Sequence, residues 1–91
     1  MTIEDRFKKF HEDNPLVYLH FKYYAHQAIA AGMTRLSSKF LIERIRWEAM
    51  VVTRSVDFRI NNDYTSRYSR MFVMDFPMHA ELFETRELQA A

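Results

Sequence analysis

The chain has 91 residues with one glycine, two prolines, no cysteine and a formal charge of +1. A single glycine excludes phosphate loops and dinucleotide fingerprints, which need several at fixed spacing, and the repeated tight turns of a β-sandwich or barrel. The missing cysteine excludes a disulfide framework and a zinc ribbon, while 48% apolar and 15% aromatic residues are the opposite of a disordered composition.

In chain order, residues 3–11 form a short amphipathic segment, with Ile3, Phe7 and Phe10 on one stripe. Asn14-Pro15 reads as a helix start, Asn as cap and Pro in the first turn. The helix it opens runs to about Ala31, carries Val17, Phe21, Tyr24 and Ala28 inward, and stops at Gly32 as a left-handed cap. Ser37 or Ser38 caps a third helix over 38–52, with Leu41, Ile42, Ile45, Ala49 and Val52 as its buried stripe. Phe40, Trp47 and Val51 form a second apolar edge, and Trp47 reads as a core residue or an edge seal under arginine stems.

Val56, Phe58 and Ile60 alternate with polar residues, which allows a short β-hairpin near 51–60. A fourth helix over 64–74 turns Tyr64, Tyr68, Met71 and Phe72 inward and ends at Phe76-Pro77. Pro77 opens a last turn with Met78, Leu82 and Phe83, and the tail frays from about residue 85. The expected fold is a mostly α domain of four to five helices over residues 1–91, helix-turn-helix-like around Gly32.

No catalytic, metal or cofactor constellation stands out. His20 and His26 lie six apart on one helix, roughly 240° around it, and so do not share a face. There is no His-Glu-x-x-His, and no serine sits in a glycine-flanked elbow. The chain therefore reads as a non-enzyme. No uncharged run of about 18 residues spans a membrane, and the acidic N-terminus is not a signal peptide. A soluble, cytoplasmic protein is expected.

The charge is unevenly spread. Residues 35–70 hold eight basic side chains (Arg35, Lys39, Arg44, Arg46, Arg54, Arg59, Arg67, Arg70) against Glu43, Glu48, Asp57 and Asp63, a balance of +4. Residues 71–91 hold only Arg86 against Asp75, Glu81, Glu84 and Glu87. Arginine favours planar recognition of phosphate or carboxylate. The leading expectation is a non-enzymatic DNA-binding or regulatory protein, with contacts to double-stranded DNA through Arg35, Ser38, Lys39, Arg46, Arg54 and Arg59. The plainer reading of the same residues is a solvated surface of ion pairs.

The ordered string Phe7-x-x-Phe10-His11, Asn14-Pro15-x-Val17-Tyr18, Gly32, Ser37-Ser38, Glu43-Arg44-Ile45-Arg46-Trp47, Thr53, Phe58-Arg59-Ile60-Asn61-Asn62, Tyr68-x-Arg70, Pro77 and Phe83-Glu84-Thr85-Arg86 resembles a family of small proteins encoded by bacteriophages and prophages. The resemblance implies a phage or prophage gene product in the bacterial cytoplasm, and carries no activity or site residue with it. It leaves two further expectations open. One is a host-protein partner, with the acidic C-terminal segment as a nucleic-acid mimic. The other is a structural homo-oligomer, which exposure of Phe40, Trp47 or Met50 would favour.

Overall fold

The computed structural model describes residues 1–83. Its helices are α1 (Ile3–Asp13), α2 (Pro15–Ala30), α3 (Ser38–Trp47) and α4 (Thr65–Asp75). A π-helical turn over Glu48–Val52 extends α3, and short 3₁₀ turns cover Asn62–Tyr64 and Pro77–His79. The chain is mostly helical, as expected. No helix among the described residues is long and apolar enough to cross a membrane.

Each helix begins where local chemistry allows. Thr2 caps α1 reciprocally: its Oγ1 accepts from the Asp5 N–H, and the Asp5 carboxylate accepts from the Thr2 N–H, both at 3.2 Å. Pro15 occupies the first turn of α2, where its missing N–H costs nothing. Asn14 works differently from the expected cap. Its side-chain amide makes no bond to α2 but donates to the Phe10 carbonyl at 3.0 Å, closing the end of α1 instead. Ser37, not Ser38, caps α3, its hydroxyl accepting from the Phe40 N–H at 3.3 Å.

Gly32 ends α2 at φ +97°. The Gly32 N–H bonds Ile29 O at 2.9 Å and the Met33 N–H bonds Ala28 O at 3.1 Å. That pair is a Schellman motif, which needs a left-handed residue at this position.

The core gathers on α2, which buries Val17, Tyr18, Phe21 and Ala25. Leu41, Ile42 and Ile45 of α3 and Tyr68 and Phe72 of α4 close over them. Much of the core is aromatic: Phe21 stacks on Tyr68 at 5.9 Å, and Phe83 meets Phe21 at 5.6 Å and Phe72 edge-on at 5.7 Å. Burying a side chain of this size stabilises by about 1.5–3 kcal/mol. Phe83 reaches the core because its segment runs beside the α2–α3 connection, where the Leu36 N–H donates to Leu82 O at 2.8 Å.

The expected hairpin near 51–60 does not form, and the described residues contain no strand. Val51 and Val52 continue the helix as a π turn, closed by the Thr53 N–H on Glu48 O at 3.1 Å. The Thr53 hydroxyl also bonds Ala49 O at 2.6 Å, so the strand proposed to pair with 56–60 is already committed to helix. Residues beyond it run irregularly. Ile60 is buried and Phe58 half-buried, while Val56 is exposed, so the alternation marks two anchor points rather than a sheet.

Candidate functional site

The six cation and serine candidates fall into different settings. Arg35 lies exposed in the connection before α3, and Lys39 is exposed in the first turn of that helix. Ser38 is half-buried beside a polar groove of about 500 Å³ that Asn62, Asp63, Thr65, Ser66 and Arg67 also line. Arg54 is exposed at φ +58°, a left-handed conformation uncommon outside glycine.

Arg46 and Arg59 have work inside the molecule. The Arg46 guanidinium donates to Glu43 at 3.0 Å, to the Ile60 carbonyl at 2.6 Å and to Asn62 Oδ1 at 2.7 Å. It is thus a clamp from α3 onto the irregular segment. Arg59 donates to the Val56 and Phe58 carbonyls at 3.0 and 2.8 Å, closing its own loop. Arg67, one of the eight central basic side chains, forks onto Glu4 at 2.6 and 2.9 Å and onto the Asp63 carbonyl at 2.9 Å, tying α4 to α1. In each case the arginine satisfies carbonyls or carboxylates that the fold itself presents, which local sequence spacing does not reveal.

The acidic segment is partly engaged as well. Asp75 accepts from the Tyr18 phenol at 2.5 Å. Glu81 is exposed, and Glu84, Glu87 and the tail from residue 85 lie outside the described residues.

A second surface emerges on the side of α3 away from its buried stripe. Phe40 is 62% exposed, Trp47 53%, Met50 48% and Val51 53%. Trp47 is therefore not a core residue. Arg44 lies between these side chains, its guanidinium 5.2 Å from the Trp47 ring and 4.8 Å from the Tyr24 ring of α2. It also pairs with Glu48 at 2.7 Å, and the Tyr24 phenol reaches the same carboxylate at 3.4 Å. Partial burial raises the Tyr24 phenol pKa, with Arg44 opposing and Glu48 reinforcing the shift. Tyr23, exposed, packs edge-on against Tyr24 at 5.4 Å. The result is a stripe of aromatic and aliphatic side chains with an arginine stacked along it.

Next to this stripe, between the start of α2 and the π turn, lies an apolar cleft of about 500 Å³. Leu16, Val17, Ile45, Ala49 and Phe58 line it, and Asp13, Asn14, His20, Glu48, Thr53 and Ser55 supply polar groups at its walls. The exposed face was visible in the sequence only as a second apolar edge on the third helix. Periodicity identifies two apolar stripes there, and packing alone decides which one α2 and α4 cover.

No protein-family model, curated protein or solved structure matches this chain.

Proposed function

We propose that this protein is a non-enzymatic structural component that works by self-association through the exposed face of α3. The observation that carries this reading is the clustering of Phe40, Trp47, Met50 and Val51 at about half exposure or more along one helix and its π turn. Single exposed apolar residues are ordinary on any surface, whereas a run of large ones on one element marks a contact site. Tryptophan, tyrosine and arginine, the types enriched at energetic centres of interfaces, stand together beside it as Trp47, Tyr24 and Arg44.

Two features favour a copy of this chain over a nucleic acid. Four of the ionised groups beside the stripe are matched in pairs, Glu43 with Arg46 at 3.0 Å and Arg44 with Glu48 at 2.7 Å, so that within α3, among the described residues, Lys39 alone adds an unmatched charge and the face offers little to attract phosphate or to repel its own copy. Arg46 and Arg59 also commit donors to backbone carbonyls, which weakens the case for two of the candidate DNA contacts. The phage or prophage origin suggested by the sequence string supplies the setting, a bacterial cytoplasm.

Sedimentation velocity over a wide range of protein concentration tests the reading. The expected result is a sedimentation coefficient that rises with concentration, and a Phe40→Ser variant that stays folded but shifts toward monomer. A chain that remains monomeric at every concentration overturns it.

A further inference from the structure

The exposed stripe of α3 has an internal symmetry. Phe40, Arg44, Trp47 and Val51 follow one another at spacings of four, three and four. Residues at these spacings lie along one side of a helix. The π turn that carries Val51 is wider than an α turn, so a residue four on from Trp47 still stands nearly above it. The order of chemistry along the line is apolar, cationic, aromatic, apolar.

A spacing that reads the same in both directions has a consequence for two copies. When two such helices lie antiparallel across a two-fold axis placed midway between Ile45 and Arg46, Phe40 of each faces Val51 of the other. The same axis places Arg44 of each against Trp47 of the other. Both pairings arise at once from one register, and both are favourable: apolar on apolar, and a guanidinium on an indole face. An isologous contact of this kind is closed, so it stops at two copies.

We propose that two copies of this chain associate through α3 in antiparallel register, with Phe40 on the partner's Val51 and Arg44 on the partner's Trp47. The proposal rests on the self-association reading above and specifies its partner and geometry. Arg44 is already held near the Trp47 ring of its own chain, 5.2 Å away, and by Glu48. Its side chain is thus largely ordered before contact, which lowers the entropy lost on association. The four exposures, 62% for Phe40, 53% for Trp47 and Val51, and 42% for the Arg44 side chain, leave each group surface to bury.

The absence of cysteine makes a clean test. A disulfide forms only where Cα atoms approach within about 7 Å. Phe40→Cys and Val51→Cys variants are prepared separately, checked for helicity by circular dichroism, then oxidised alone and as an equal mixture. The expected result is efficient cross-linking in the mixture and little in either variant alone, because position 40 faces position 51 rather than itself. Arg44→Cys mixed with Trp47→Cys repeats the pattern. In sedimentation equilibrium, Trp47→Ala weakens self-association by about tenfold or more.

Cross-linking of Phe40→Cys with itself as efficient as in the mixture overturns the antiparallel register. So does a mixture that fails to cross-link while the unsubstituted chain still self-associates, and in that case only the register falls. An unsubstituted chain that is monomeric at all concentrations removes both the register and the reading beneath it.

Discussion

Gly32 is the only glycine, and it sits where the backbone must turn left-handed. A Cβ built there has nothing within 4 Å, so a side chain meets no neighbour and any cost is purely conformational. Gly32→Ala should therefore destabilise the fold by about 1–2 kcal/mol, the penalty of the left-handed region for an L-residue. Gly32→Asn should cost less, since asparagine tolerates that region. Urea midpoints at constant slope measure both, and an alanine variant as stable as the parent would contradict the Schellman geometry.

Tyr68 shows a different kind of residue-scale tension. Its side chain is fully buried, and its hydroxyl has no hydrogen-bond partner among the described residues, nor has the buried Nδ1 of His11, whose ring lies 6.2 Å away. Burial, reinforced by Tyr64, pushes the Tyr68 phenol well above its ordinary value of about 10. Burial also raises Tyr18, helped by the bond to Asp75 and the charge of that carboxylate. A phenol whose pKa is raised by folding keeps its full contribution below about pH 10 and loses it as pH climbs past that value. Stability should thus be flat from neutral pH to about 10 and fall above it. Tyr68→Phe should fall less steeply there and be neutral or slightly stabilising near pH 7, because it removes a buried polar atom that lacks a partner. Urea unfolding from neutral to strongly alkaline pH reads both effects, and a Phe variant much weaker at pH 7 would show that the hydroxyl has a partner after all.

At the scale of elements, the helices were legible and their couplings were not. Pro15, Gly32 and Phe76-Pro77 mark helix boundaries through backbone chemistry that acts within a few residues. The inward positions of α4 and of the turn that leads into it, Tyr64, Tyr68 and Phe72, follow from periodicity alone. Val51-Val52 misled in the opposite direction. Two β-branched residues before an alternating run favour a strand locally, yet the chain continues as a π turn sealed by Thr53. Most of the candidate site was invisible for a related reason. The carbonyl of Ile60 and the amide of Asn62 that Arg46 holds are far from it in sequence, so helical spacing shows only its pairing with Glu43.

That clamp makes an element-scale prediction. The Arg46 side chain is only 22% exposed and fixes the irregular segment to α3 through two bonds at 2.6 and 2.7 Å. Hydrogen bonds to a charged donor contribute about 1.5–3 kcal/mol. Arg46→Ala should cost a figure of that order and speed amide exchange across residues 58–64. Arg46→Lys should rescue little, because a point-like ammonium does not fork to two acceptors as guanidinium does. Full recovery by lysine would mean that charge alone, rather than the fork, holds the segment.

For the whole molecule, the question is what the positive centre of the chain is for. A formal charge of +1 and an isoelectric point near 8.1 leave little long-range field at neutral pH. Within that balance, Arg44, Arg46 and Arg67 are each paired with a carboxylate, so much of the central excess is internal scaffolding. Salt separates the two uses of such a surface. Association with DNA releases counterions and weakens steeply as salt rises. Association through apolar side chains is insensitive to screening and is strengthened by sulfate, which is excluded from protein surface. Self-association measured by sedimentation equilibrium should therefore hold nearly constant between about 50 and 500 mM sodium chloride, and tighten in sodium sulfate. The Arg44 contact adds a small screened component, since an exposed cation–π pair is worth only about 0.5–1 kcal/mol. A loss of association by orders of magnitude over that salt range would assign the contact to charge instead, and would return the weight of the molecule to Arg35, Lys39 and Arg54.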